Sequence, residues 1–238
     1  MRRHSLCGIS MAFAALLVVS ASTFAEDAPS PFPRDGAKKL KENDRVVFWE
    51  VTWEKGNSTG MQTTQRDLIY ITMEEGGVKV TRPDKTSTTE FDRFGSVGFE
   101  PKGTARAQEG VSDKPRRAIV VELKPLASAK KIEIKTDGLP NTFPRPMTAK
   151  LFETDQVNVW DDRWEMGRAG MLHAHYTDLA WVFLEAGELH SISAKGVSSP
   201  KNTVRVKGEV AFSARMEPHQ EQAVKGPPRA IILEFKYQ

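Results

Sequence analysis

The chain has little cysteine, no long apolar segment and almost no excess charge, and each shortage excludes a class of protein. Its 238 residues include a single cysteine, Cys7, which cannot form an intrachain disulfide. The longest apolar run, Met11 to Val19, is far shorter than the roughly 20 residues that span a bilayer, so we expect no transmembrane segment. There are 34 Lys and Arg against 31 Asp and Glu. This near-balance gives no electrostatic footprint for nucleic acid.

The N-terminal residues have the pattern of an export signal. Arg2 and Arg3 form a positive segment, an apolar stretch follows from Ile9 to Val19, and Thr23-Phe24-Ala25 fits the small-x-small cleavage rule. We therefore predict that residues 1–25 are a signal peptide and that the protein is periplasmic or secreted. Cleavage would remove Cys7, so thiolate catalysis and Cys-ligated metal sites are not expected.

The remainder of the chain is an internal duplication. Residues 29–53 and 140–164 align without a gap at an offset of 111 and share 11 identities in 25 positions. Chance would give one or two. The ends of the two copies also match, since Pro115 to Lys124 resembles Pro227 to Lys236. We predict a first domain over 26–124, a linker over 125–139 and a second domain over 140–238.

Each copy has the composition of a β domain. Short runs rich in Val, Ile, Phe, Trp and Thr, such as Arg45 to Trp53 and Leu179 to Leu184, are bounded by Gly, Pro, Asp, Ser and Lys. No segment combines a sustained helical period with caps. Two all-β units of about 100 residues are typical of sandwiches or small barrels.

Histidines form the candidate site. His173 and His175 flank Ala174, and alternate residues of a strand point to the same face. His219 follows a later apolar run, Val210 to Ser213. Three imidazoles that converge from two strands inside a small barrel would suit Zn, Fe, Mn, Ni or Cu. No P-loop, dinucleotide-binding glycine pattern or HExxH motif offers a competing site.

At this point the sequence resembles a known family. Gly170 to Gly187 looks like the first cupin motif, with His-x-His after a glycine turn and before an apolar strand, and Gly208 to His219 looks like the second. With the duplication, the chain is similar to a bicupin. The resemblance implies two tandem double-stranded β-helix (jelly-roll) barrels. It also implies a metal held by the His pair, a Glu and the later His, so we expect His173, His175 and His219 as ligands.

The chain departs from the cupin pattern at the glutamate. The motif would place it near Leu179 or Ala180, which cannot bind metal. The adjacent Asp178 is a candidate for an additional ligand or pocket residue, and Glu165, Glu185 and Glu221 are substitutes without motif support. Tyr176 and Trp181 are candidates for the pocket wall.

The first copy serves as a control. The alignment of the two copies, which shifts by one residue in this region, places Thr63 and Gln65 opposite His173 and His175. It places Ala107 opposite His219. Because this copy has no imidazole at these positions, folding of the barrel does not require them.

Two functions remain open from the sequence. One is an exported protein that binds a divalent metal and catalyses a reaction on a small molecule. The other is a non-catalytic module that binds a small ligand without metal. A homodimer is a further expectation, because cupin-like barrels associate through their sheets, although two fused units can also form that pairing internally.

Overall fold

A computed structural model describes residues 28–125, 138–214 and 216–237. The predicted signal peptide and most of the predicted linker lie outside the described residues. Over the described ranges the chain forms strands and turns without a helix, and hence no helix that could cross a membrane. The all-β class expected from the sequence is confirmed.

The first unit is a five-stranded sheet facing a four-stranded sheet. Their strand orders are β1-β2-β9-β4-β7 and β3-β8-β5-β6, and every pairing between these strands is antiparallel. The strands are β1 (Ala37–Glu42), β2 (Val46–Trp53), β3 (Gln62–Thr63), β4 (Leu68–Glu74), β5 (Gly76–Thr81), β6 (Ser87–Asp92), β7 (Val97–Glu100), β8 (Ala105–Gly110) and β9 (Arg116–Leu123).

The second unit repeats this topology strand for strand. Its sheets have the orders β10-β11-β18-β13-β16 and β12-β17-β14-β15. The strands are β10 (Thr148–Glu153), β11 (Val157–Arg163), β12 (His173–His175), β13 (Leu179–Glu185), β14 (Gly187–Ser193), β15 (Thr203–Arg205), β16 (Val210–Ser213), β17 (Met216–Lys225) and β18 (Arg229–Phe235). Two cupin-like jelly rolls from an internal duplication are therefore what the chain forms.

Side-chain contacts are duplicated along with the strands. The indole N–H of Trp49 donates to Glu122 at 3.1 Å, and that of Trp160 donates to Glu234 at 3.0 Å. The arm before each unit stacks a phenylalanine on the same tryptophan, with ring centroids 5.0 and 5.1 Å apart. The two copies thus share a packing scheme, and differences between them mark specialised positions.

The central strands are apolar on both faces because both faces are buried. In β2, Val47 and Trp49 point into the first barrel, whereas Val46 and Phe48 point outward. The outward residues pack in one cluster with Val157, Val159 and other outward residues of the second unit. The two five-stranded sheets therefore pack back to back, and the apolar face through which a cupin-like barrel would pair is covered within the chain.

A polar contact at the edge of this interface involves Asp178. Its carboxylate accepts a 3.1 Å hydrogen bond from Arg45 of the first unit. The same guanidinium donates to the carbonyl of Tyr237 at 2.7 Å and lies 4.3 Å from the Phe235 ring. The expectation that Asp178 contributes to the histidine site is corrected here, because its side chain joins the two units instead.

Candidate metal centre

Three imidazoles meet inside the second barrel. His173 and His175 lie on β12, and His173 is paired in register with His219 on the neighbouring strand β17. All three side chains are buried, and their ring centroids are 4.8 to 5.0 Å apart. One nitrogen from each ring can be chosen so that all three lie within 4.8 Å of one another. The structure thus brings together the three histidines singled out from the sequence.

Backbone carbonyls fix the orientation of two rings. His173 Nδ1 lies 2.9 Å from the Met171 carbonyl oxygen, and His219 Nδ1 lies 2.9 Å from the Glu217 carbonyl oxygen. An N–H donor at Nδ1 leaves the lone pair of Nε2 free to bind an electrophile. His173 Nε2 and His175 Nε2 are 3.2 Å apart, and the buried His175 Nδ1 has no hydrogen-bond partner among the described residues.

Burial keeps the imidazoles of His173 and His175 neutral. Desolvation lowers the pKa of His173 to about 4 and that of His175 to about 2, and the neighbouring imidazoles and Arg145 add to the lowering. The two side chains therefore carry no proton on their acceptor nitrogens at neutral pH. Neutral imidazole is the form that binds metal.

Glu221 is the carboxylate nearest the histidines. It lies two positions after His219 on β17, on the same face, and is buried. Its Oε1 is 4.0 Å from His219 Nε2, and its Oε2 accepts a 2.9 Å bond from the indole of Trp164. The sequence offers Glu221 as one of three replacements for the missing motif glutamate, none of them supported by a motif. Alternation from His219 selects it, because Glu165 and Glu185 are not on that strand.

A buried arginine borders the site. Arg145 Nη1 is 3.5 Å from His173 Nε2 and 4.0 Å from Glu221 Oε2. The guanidinium forms a two-point ion pair with Asp162, which is fully buried. Burial raises the pKa of Asp162 to about 6, although Arg145 opposes the rise. Sequence reasoning missed this pair, whose one available signal is Asp162 at the position that Val51 occupies in the first copy.

The other residues predicted for the pocket do not all lie beside the histidines. Trp181 lies on β13 and is buried, with its ring centroid 5.9 Å from that of His175, so it forms a wall of the site. Tyr176 directly follows β12 and is half-buried, and its role stays a prediction. The carboxylate of Asp178 is bonded to Arg45, as described above.

The strand register corrects the alignment of the two copies at this site. His173 pairs with His219, and the same pairing in the first unit joins Gln62 to Arg106. The counterparts of the three histidines are therefore Gln62, Thr64 and Arg106, one residue earlier than expected from the sequence. The counterpart of Glu221 is Gln108, which accepts a 3.3 Å bond from the indole of Trp53.

Solved structures with the same architecture are cupins and related proteins. A cupin 2 conserved barrel domain protein from Leptotrichia buccalis aligns with a TM-score of 0.53 and 13% identity, over 84% of this chain and 88% of that one. Oxalate decarboxylase from Bacillus subtilis, as a single-residue variant, aligns with a TM-score of 0.55 and 10% identity over 84% and 72%.

A third similar structure is a variant of salicylate 1,2-dioxygenase from Pseudoaminobacter salicylatoxidans. It has a TM-score of 0.54 and 9% identity, and the match covers 81% of this chain and 72% of that one. At these identities the likeness establishes the fold. No protein-family model and no curated protein matches the sequence.

Proposed function

From the premise that this chain has the bicupin fold, we propose that it binds a divalent metal in its second barrel and acts on a small molecule there. The ligands are His173, His175 and His219, and Glu221 is the fourth donor. The observation that carries the proposal is the convergence of three buried imidazoles, two of them oriented through Nδ1.

One pair of donors has the spacing of a metal site, and the whole donor set has suitable chemistry. Nitrogens that each lie about 2.0–2.1 Å from a tetrahedral zinc are roughly 3.4 Å apart, and His173 Nε2 and His175 Nε2 are 3.2 Å apart. Without a cation, two nitrogen lone pairs at that distance are mutually unfavourable unless one ring donates to the other. Three imidazoles with one carboxylate suit Zn, Fe, Mn, Ni or Cu, and these side chains do not select among them.

The bound metal would polarise a substrate oxygen or activate water or dioxygen. The protein groups around it have separate roles. Trp181 excludes water beside His175, and Trp164 holds Glu221 in place through its indole N–H. Arg145, fixed by Asp162, supplies a positive charge at the edge of the site that can orient a polar substrate group.

One observation favours the second candidate function, a metal-free site for a small ligand. The Arg145 guanidinium lies 3.5 Å from His173 Nε2, and a cation so close disfavours a second cation. Glu221 and Asp162 offset this charge. The alternative predicts ligand-dependent stabilisation of the protein in the absence of any metal.

The deciding experiment is the metal content of the untagged protein, measured by elemental mass spectrometry. We expect about one equivalent per chain, lost in His173→Ala and His219→Ala and reduced in Glu221→Gln. His190→Ala is the matched control, because His190 is partly exposed and its Nδ1 lies 3.0 Å from Asn202 Oδ1, outside the cluster. Stoichiometric metal in His173→Ala would refute the ligand assignment. No uptake of Fe, Mn, Zn, Ni or Cu would leave the metal-free site.

We also propose export to the periplasm or the exterior, on the N-terminal pattern alone. Cell fractionation followed by N-terminal sequencing tests this, with Glu26 as the expected first residue of the mature chain. A cytosolic chain that retains residues 1–25 would contradict it.

A further inference from the structure

The first barrel contains a cavity at its open edge. Its volume is about 280 Å³, and it lies between β6 and β7, the terminal strands of the two sheets. Residues from β4, β8 and β9 form its inner walls. The volume is at the lower end of the range of about 300–1,000 Å³ for small-molecule sites. The cavity therefore suits a compact ligand and excludes a polymer.

Three substitutions between the copies account for the space. The strand registers set Tyr70, Thr72 and Gly98 opposite Trp181, Phe183 and Ala211. In the second unit the Trp181 and Phe183 rings stack at 6.3 Å, and Arg205 lies 4.9 Å above Phe183. The first unit has smaller side chains at all three positions, so its interior stays open toward the seam between β6 and β7.

The charged groups in this cavity neutralise one another. Arg106 forms an ion pair with Glu100, and Arg116 forms one with Asp92. Each guanidinium also lies over an aromatic ring, Arg106 at 5.4 Å from Tyr70 and Arg116 at 4.9 Å from Trp53. With Glu90 added, the lining has three carboxylates against two arginines. This balance disfavours an anionic ligand, and the arginines bound to two of the carboxylates disfavour a cation.

Hydrogen-bonding capacity remains available after these pairings. Gln108 accepts a bond from Trp53 through Oε1, which leaves its amide N–H groups as donors. The Tyr70 hydroxyl is held in its protonated form, because burial raises its pKa. Hydroxyl-bearing residues complete the lining: Thr72, Ser96 and Thr104.

We propose that the first barrel binds a neutral polyhydroxylated molecule of monosaccharide size in this cavity. Such a molecule offers many donors and acceptors without net charge, matching paired ions, hydroxyls and an amide around a compact space. A ligand there would bond to the amide N–H groups of Gln108 and to the Tyr70 hydroxyl, and these bonds would give specificity. The site is separate from the histidines of the second barrel and does not depend on a metal there.

Ligand-observed saturation-transfer NMR on the full chain tests the proposal, with D-glucose, D-galactose, D-mannose and D-xylose as probes. We expect saturable transfer from at least one sugar. Thr72→Phe, which introduces the larger residue of the second copy, should weaken it at least tenfold by filling the cavity. Thr72→Val removes the hydroxyl at nearly constant volume and should weaken sugar binding about threefold. This second variant keeps the test valid if Thr72→Phe fails to fold. His173→Ala should bind as the wild type does.

Four outcomes would overturn the proposal. Transfer from none of the four sugars excludes the ligand class. Tighter binding of D-glucuronate than of D-glucose shows an anion site instead. Unchanged affinity in both Thr72 variants places the binding elsewhere. A loss of sugar binding in His173→Ala would likewise move the site to the second barrel.

Discussion

Arg145 and Asp162 show how a single residue distinguishes the two copies. Asp162 is fully buried in the second barrel, and Val51 occupies the equivalent place in the first. The barrel can therefore close with an apolar residue here, and the ion pair is not a requirement of the fold. Its position beside His173 and Glu221 connects it with the site.

Replacing the acid alone should be costly. Asp162→Val leaves Arg145 buried without its partner, and removing one member of a buried pair typically costs about 3–5 kcal/mol. Urea unfolding of the metal-free protein measures the loss. The control is Arg145→Met/Asp162→Val, which removes both charges and should recover most of the stability. Exposed ion pairs typically contribute no more than about 1 kcal/mol. If Asp162→Val lowered the unfolding free energy by less than that, the pair would not behave as a buried one and this account would be wrong.

Acidification should destabilise the metal-free protein. The pKa values of His173 and His175 are about 4 and about 2, below the unfolded value of about 6.5. The contribution of these two neutral histidines to the free energy of unfolding is complete above pH 6.5. It is lost as the pH falls, because the unfolded chain takes up protons that the folded chain does not. Asp162 acts in the opposite direction below its pKa of about 6, because its protonated form is favoured in the fold.

Two histidines outweigh one aspartate between pH 7 and pH 5. We expect a net loss on the order of 2 kcal/mol in the free energy of unfolding over that interval. Urea titrations at several pH values, with a chelator present, measure it. His190→Ala should leave the slope unchanged, whereas His175→Gln should reduce it. Stability that is constant or rises on acidification would contradict the assigned burial.

At the scale of elements, the sequence predicts strands well and their connections less well. The repeat at an offset of 111 predicts the strands that contain Trp49 and Trp160 and the strands that pair with them. Central strands that are buried on both faces need an almost continuous apolar sequence, and that requirement makes them easy to identify. The sequence alignment slips by one residue before the histidines because it matches Gly60-Met61 with Gly170-Met171. In the structure the offset of 111 continues through this turn, since the N–H groups of Thr59 and Gly170 donate to the equivalent carbonyls of Gln108 and Glu221. No buried periodic pattern constrains the alignment there.

The same limit explains which site residues the sequence identified. The His-x-His spacing puts His173 and His175 on one face regardless of the turns around them. Assigning Glu221 requires the extent of β17, because only a strand that continues through both residues puts Glu221 on the face of His219. Linking Arg145 to Asp162 requires the path of the arm before β10. Both depend on contacts between residues far apart in the chain.

Gly110, at the end of β8, has no room for a Cβ in the first unit, although its counterpart in the second unit is the buried Ala223. A Cβ there would lie 2.4 Å from the backbone oxygen of Glu54 and 2.6 Å from that of Trp53, and backbone cannot move aside as a side chain can. We expect Gly110→Ala to cost about 1–3 kcal/mol of unfolding free energy, as overpacking does. Gly98→Ala is the control, because no atom lies within 4 Å of its Cβ and the second copy has Ala211 there. Equal stabilities of the two variants would contradict this.

The molecule as a whole is organised around the apolar layer between its two five-stranded sheets. Outward residues of both units form one buried cluster, and Arg45 of the first unit bonds to Asp178 and the Tyr237 carbonyl of the second. Each unit therefore covers a face that the other would otherwise expose to water. The homodimer expected from the sequence stays a prediction, and it would require a different surface.

This layer should make the two units unfold together. We expect one calorimetric transition, with equal van't Hoff and calorimetric enthalpies. Ile71→Ala truncates a fully buried residue of the layer and should lower the unfolding free energy by about 2–5 kcal/mol, moving the whole transition. Val204→Ala, at an exposed position, should have little effect. Two separate transitions in either variant would show that the units are thermodynamically independent.

Because the two copies are equivalent strand for strand, the histidine site of the second barrel can be introduced into the first by substitution. Gln62, Thr64, Arg106 and Gln108 occupy the backbone positions of His173, His175, His219 and Glu221. Four exchanges would therefore rebuild the donor set on a scaffold that already shares the stacked arm and the tryptophan–carboxylate bonds. What distinguishes the second copy can therefore be separated, one side chain at a time, from what both copies share.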